Sequence, residues 1–255
     1  MFELFNIRII PVLLLRGRGL VKTIQFKDPK YLGDPINIVR IFNEKEVHEI
    51  ILLDIEATIK KRPPVYELIE EIASECFMPL GYGGGVQKLE EINQLFNLGV
   101  EKIIINNKAV KDPNFIKEAS KLFGSQSIVV SLDIIKTSKG PEIFVQNGKV
   151  PTGLDPRFFS KYMEQMGAGE LFINSIDRDG TMMGYDNKLV EEIASSVSIP
   201  VIACGGAGKI EDFVQVVKNA GASAAAAGSI FVFQGKLKAV LVSFPKEEDL
   251  EKAFS

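Results

Sequence analysis

Short apolar, β-branched runs alternate along this chain with longer stretches whose apolar residues recur at helical spacing. The runs predict strands at Ile7–Leu15, Ile50–Leu53, Pro79–Gly81, Lys102–Ile105, Ser127–Leu132, Leu171–Asn174, Pro200–Ala203 and Ala224–Ala227. The helical periods fall at Pro35–Glu46, Pro64–Cys76, Leu89–Leu98, Pro113–Phe123, Asp155–Met166, Asn187–Ser195, Ile210–Ala220 and a C-terminal stretch from Leu237. Strand and helix alternating in this way give parallel strands with helices outside, which close as a (β/α)8 TIM barrel. An open doubly wound sheet is the runner-up. At 255 residues the barrel fits as one domain, 1–255. The connections 16–34 and 137–153 follow the first and fifth strands, and either could serve as a mobile cover over the C-terminal face.

The pattern is also written twice. Asp54-Ile55-Glu56-Ala57-Thr58 returns as Asp177-Arg178-Asp179-Gly180-Thr181, 123 positions later. Gly83-Gly84-Gly85 returns as Gly205-Gly206-Ala207-Gly208, and Ile103–Asn106 as Ala225–Gly228, both at 122. Two half-barrels, approximately 1–123 and 124–255, account for this and count against the open sheet.

In such a barrel the functional face lies at the carboxyl ends of the strands. Glycine there bares backbone N–H groups and lets an anion approach closely. Gly206, Ala207, Gly208, Gly228 and Ser229 mark one phosphate-like site; Gly84, Gly85 and Asn106-Asn107 mark its repeat across the mouth. Two sites imply an elongated ligand with an anion at each end. The blander alternative is that the glycines only make tight turns. Within Asp177–Thr181 one carboxylate is expected to orient backbone or the Thr181 hydroxyl. The other faces the ligand, and Asp179 with Gly180 takes that place. Asp54 and Glu56 are the first-half counterparts, and at least one member of each pair is expected to cap backbone.

Asp133 ends the fifth strand, where a carboxyl ringed by barrel-wall residues can act as general acid or base. The structural alternative is a capping role or an ion pair with Lys22 or Lys136. Repeat alignment places Leu14 opposite Asp133, and a leucine moves no protons.

Composition narrows the field further. With 46% apolar and 25% charged residues the chain can bury a sizeable core. A net charge of −3, with both signs interspersed, points to neither nucleic acid nor an anionic membrane. The apolar run Ile9–Leu15 is too short to span a bilayer. Cys76 and Cys204, in apolar strand-like contexts, suggest a reducing compartment and hence the cytoplasm. His48 is the single histidine, so neither a histidine metal cluster nor a cofactor site is expected.

Arg8-Ile9-Ile10-Pro11, Gly19–Lys22, Gly33-Asp34-Pro35, Leu53-Asp54-Ile55, Gly83–Gly85, Asn106, Ser175–Thr181 with Gly184-Tyr185-Asp186, and Gly205–Lys209 closely resemble the HisF family. That family is the cyclase subunit of imidazole glycerol phosphate synthase. The resemblance implies a half-barrel duplication that receives ammonia from a HisH glutaminase and uses it to cleave and cyclise a bisphosphorylated nucleotide. Of the family's two catalytic aspartates, one falls on Asp133 and the other on Leu14. The family's charged ring at the opposite end of the barrel, where ammonia enters, falls on Arg8, Glu49, Lys102 and Glu170; its bland reading is an ion-pair plug. The missing acid and the stretch Leu20–Pro35 resemble more closely the HisF-like proteins of surface-polysaccharide synthesis. Those pair with a HisH-like glutaminase and a sugar amidotransferase, and their ligand is bisphosphorylated or nucleotide-linked. Three readings follow: an ammonia-channelling subunit for amidation of a sugar precursor, a histidine-pathway cyclase whose acid chemistry has moved to Glu56 or Lys22, and a non-catalytic scaffold that activates its glutaminase.

Overall fold

The computed structural model describes residues 7–235 and 237–255, so residues 1–6 of the expected domain lie outside it. Eight parallel strands form the barrel: β1 Arg8–Arg16, β2 Ile50–Asp54, β3 Leu80–Gly83, β4 Lys102–Ile105, β5 Ile128–Thr137, β6 Glu170–Ser175, β7 Val201–Cys204 and β8 Ala224–Ala227. Each pairs with the next, and β8 returns to β1 with Ala224 opposite Arg8, which closes the sheet. The open sheet is thereby excluded.

Helices α1 Pro35–Glu44, α2 Tyr66–Glu75, α3 Leu89–Asn97, α4 Asn107–Lys111 and α5 Pro113–Phe123 accompany the first four strands. Helices α6 Pro156–Gln165, α7 Asn187–Ala194, α8 Ile210–Lys218, α9 Ser229–Val232 and α10 Glu247–Phe254 accompany the rest. The starts of α1 and α6 show why the chain turns helical where it does. Asp34 and Asp155 each accept a backbone N–H three residues on, from Asn37 and Phe158, and a proline with preset φ follows each.

Alternation along the strands divides the core in two. Ile10, Val12, Ile51, Ile104, Val129, Phe172 and Ile202 fill the lumen. Their neighbours, such as Ile9, Leu13, Leu52, Ile103 and Val130, face the helices. No helix among the described residues is long and apolar enough to cross a membrane.

Three expectations need correction. The two long connections, for which the sequence pattern predicts no strand, form antiparallel hairpins, Gly19–Ile24 with Lys27–Gly33 and Gly140–Val145 with Val150–Pro151. The C-terminal helix starts at Glu247 rather than near Leu237, after a short hairpin of Phe233–Gln234 with Ala239–Val240. Three acidic residues in its first turn suit the positive end of the helix dipole, whereas Leu237 is 93% exposed. Cys76 lies at the C-cap of α2, not in a strand-like run.

The two hairpins reach across the mouth with two-fold regularity. The Gln25 side-chain amide donates to the Asp177 carbonyl at 2.8 Å, and that of Asn147 donates to the Ile55 carbonyl. Donors and acceptors are each 122 positions apart. At the tips Gln25 and Phe26 have φ of 50° and 63°, and Gln146 and Asn147 have 53° and 56°. These left-handed conformations are costly for residues with side chains, and the cross-mouth contacts hold them.

Candidate active site at the barrel mouth

A pocket of about 130 Å³ opens at the carboxyl ends of the strands. Leu14, Leu53, Ser131, Asp133 and Asn174 contribute from the strands, Gly83–Gln87 and Asn106–Lys108 from the following loops, and Phe26, Gln146 and Asn147 from the hairpin tips. Asp133 keeps only the exposure that this pocket allows. Burial pushes its carboxyl up to about 7; a long 3.5 Å bond from the Asn174 amide opposes the rise and the nearby charge of Asp179 adds to it. A carboxyl titrating near neutrality can both accept and return a proton. Leu14, which also lines the pocket, supplies no second acid.

The alternative pairing of Asp133 with Lys22 or Lys136 is not what the chain forms. Lys22 is buried with its ammonium on both Asp179 oxygens at 2.8 and 3.1 Å and on the Thr23 carbonyl at 2.9 Å. Thr23 Oγ1 donates to the same carboxylate. The Lys136 backbone N–H donates to Asp177. Asp54 caps the backbone N–H groups of Glu56 and Ala57 and carries the Arg62 guanidinium on both oxygens. Its neighbour Glu56 turns to the surface, onto Lys60 and Arg16, with its pKa lowered chiefly by the Lys60 bond. Glu56 therefore does not reach the pocket.

The glycine turns carry a structural demand of their own. A side chain on Gly84 would strike the Asp54 carbonyl, and one on Gly206 the Gly184 carbonyl. Both have φ near +120°. The amides just before α3 and α8 are already used: Glu91 accepts from Gln87 and Lys88, and Asp212 from Gly208 and Lys209. What stays open is one position further round each half. Asn107 Oδ1 and Ser229 Oγ, 122 residues apart, are buried without a partner at the starts of α4 and α9. Of the residues expected to bind phosphate, Gly84, Gly85 and Asn106 line the pocket. Asp179, Gly180, Gly206, Ala207, Gly208, Gly228 and Ser229 do not.

At the opposite end of the lumen Arg8, Glu49, Lys102 and Glu170 form a closed ring. Arg8 bonds Glu49 at 2.8 Å and Glu170 at 2.5 Å, and Lys102 bonds the same two carboxylates at 3.1 and 2.9 Å. Each charge thus meets two of opposite sign, which offsets the cost of burying the glutamates.

The family profile described as histidine biosynthesis protein matches residues 8–238. The chain belongs to that family. Within it, a relative from Pseudomonas aeruginosa with the provisional name imidazole glycerol phosphate synthase subunit hisF2 is 53% identical over 245 residues, covering 96% of this chain and 98% of its own. A HisF subunit of that synthase, also provisionally named, from Leptospira interrogans is 45% identical over 249 residues, with 97% and 98% covered. A Vibrio vulnificus subunit named hisF3 in the same way is 44% identical over 254 residues, with 99% and 98% covered.

The chain is therefore HisF-like, in agreement with the motifs. Sequence reasoning passed over four pocket or support residues: Asn174, Arg62, Phe26 and Asn147. Asn147 carried a usable signal, its 122-residue offset from Gln25. Asn174 also stood as the polar end of the predicted sixth strand, whereas Arg62 and Phe26 act through contacts that no local pattern announces.

Proposed function

We propose that this chain is the ammonia-using synthase subunit of a glutamine-fed complex. Ammonia from a HisH-like glutaminase enters at the Arg8–Glu49–Lys102–Glu170 ring and meets its acceptor beside Asp133. The observation that carries this is the placement of the charge ring and the Asp133 pocket at opposite ends of one lumen lined by apolar and small side chains. When ammonia adds to a carbonyl carbon, a C–N bond forms, the C=O π pair moves onto the oxygen, and the nitrogen sheds a proton. Asp133, in its carboxylate form, is placed to take it.

Two acceptors have support. The names of the relatives favour the imidazole glycerol phosphate synthase reaction, cyclisation of a bisphosphorylated nucleotide. Leu14, where that chemistry wants a second acid, favours amidation of a sugar precursor of a surface polysaccharide, with a sugar amidotransferase as further partner. The test supplies the histidine-pathway nucleotide with ammonium salt and follows imidazole glycerol phosphate. Turnover at the rate of an ordinary cyclase establishes the first acceptor. No product from the native chain, with product after Leu14→Asp, establishes that the remaining site is intact and the native acceptor is different. In the reconstituted complex Lys102→Ala should depress glutamine-fed turnover while ammonium-fed turnover persists. Equal effects on both would leave only a scaffold role.

A further inference from the structure

We infer that Asn174 is the positioning residue of the Asp133 carboxyl. Its amide turns over as the carboxyl takes up and returns its proton, showing N–H to the carboxylate and the carbonyl oxygen to the carboxylic acid. This rests on the reading of Asp133 as the group that takes the proton from nitrogen, and specifies how that group is held in both states. Glu170, Phe172 and Asn174 alternate along β6, so one strand face carries the ring at the foot, the lumen wall and the mouth. Asn174 pairs in register with Asp133 on β5, which sets the two side chains beside each other on that face. Its Nδ2 donates to Asp133 Oδ1 across a long 3.5 Å, and among the described residues no other hydrogen bond reaches that carboxyl. Asn174 is 6% exposed, and its Oδ1 is buried without a partner.

The free edge of the amide faces Gly205, where an added Cβ would lie 3.1 Å from Oδ1. The glycine Cα offers neither donor nor acceptor, and the nearby Ser175 carbonyl already accepts from the Arg178 and Asp179 N–H groups. Turning therefore trades one unpartnered polar edge for another at comparable cost, and the Asp133 carboxyl decides which way round the amide lies. An ionised carboxyl only accepts, and so selects Nδ2; a protonated one donates, and so selects Oδ1. The other charged groups at the mouth are committed elsewhere. Asp179 is held by Lys22 and Thr23, Asp54 by Arg62 and Lys108 by Asp112, while burial pushes the Cys204 thiol up and keeps it neutral. β1 brings Leu14 and the second hairpin Phe144, opposite Asp133 in register, and neither titrates. In the reaction a proton leaves nitrogen for the carboxylate while its bonding pair stays on nitrogen. The amide exchanges no atom and holds the new O–H away from the nitrogen it left.

Nuclear magnetic resonance of the full chain tests this, with aspartate labelled at the carboxyl carbon and asparagine at the amide nitrogen. The Asp133 carboxyl should titrate at about 7. Cross-relaxation between the Asn174 Nδ2 protons and the Gly205 α-protons should be strong below that midpoint and weak above it. The turn carries the NH2 group from the Asp133 side to the Gly205 side. Asn174→Leu keeps the shape and removes both bonds. It should raise the Asp133 midpoint by about half a pH unit to one unit, since a hydrogen bond to the ionised form is the stronger of the two. Equal cross-relaxation on both sides of the midpoint, or an unmoved midpoint in the leucine variant, would overturn the inference. If Asn174→Leu fails to fold, the cross-relaxation of the native chain still decides it. Because ammonia, acceptor and glutaminase take no part, a failure here leaves the ammonia reading standing, and a failed ammonia assay leaves the response of the amide intact.

Discussion

Asp133 holds its proton over a pH range in which an ordinary carboxylate has lost it, because the barrel wall removes the water that would stabilise the charge. Asp133→Asn should lower ammonia-dependent turnover by about two to four orders of magnitude. Its effect on stability has a definite sign. Between the ordinary carboxylate range and about 7 the folded chain keeps a proton that the unfolded chain has released. Native stability therefore falls as pH rises through that window, and the asparagine variant escapes the fall. Thermal melts at pH 5 and pH 8 should show the variant gaining on the native chain at the higher pH. At this scale Asp133 was legible as the polar residue closing the apolar run of the fifth strand, although β5 continues past it to Thr137, and so was Leu14. The partners were not. Lys22 could be assigned to Asp133 on residue type alone, and it sits instead on Asp179, 157 positions away.

The strands and helices follow from period, because burial of one face imposes a repeat on the local sequence. The first hairpin does not, because Gln25-Phe26 lacks the Asn-Gly signal of a two-residue turn and relies on bonds across the mouth, whereas the second carries Asn147-Gly148 in its turn. Asn147→Ala removes the bond to Ile55 and places alanine at a positive φ. It should cost about 1 to 2 kcal/mol in urea unfolding. Asn147→Gly keeps the turn at ease and loses only the bond, so it should cost less. Both variants should raise KM for the ligand more than they lower kcat, since Asn147 lines the pocket and its amide bonds the Ile55 carbonyl. Equal loss of kcat in both would move the hairpin from holding the ligand to shaping the chemistry.

The largest structure built from charge is the ring at the foot of the lumen. Removing one member leaves a partly buried charge short of a partner. Glu49→Gln and Glu170→Gln should each cost about 3 kcal/mol, at the lower end for buried pairs because Arg8 and Lys102 keep 28% and 21% of their side-chain surface. The double variant should differ from the sum of the two, since both glutamates share the same cations. A strictly additive result in urea unfolding would show that the ring does not act as a unit. The sequence by itself determined the order of strands and helices, the duplicated half-barrel, the glycines and carboxylates at the strand ends and the missing acid at Leu14. Each is a matter of residue type and spacing along the chain. Only the tertiary structure decided which charges satisfy one another, and that the two long connections bond across the mouth to the turns after β6 and β2. Those outcomes depend on distance and burial between residues 41 to 162 positions apart, where a carboxylate bonds the cation that folding brings close.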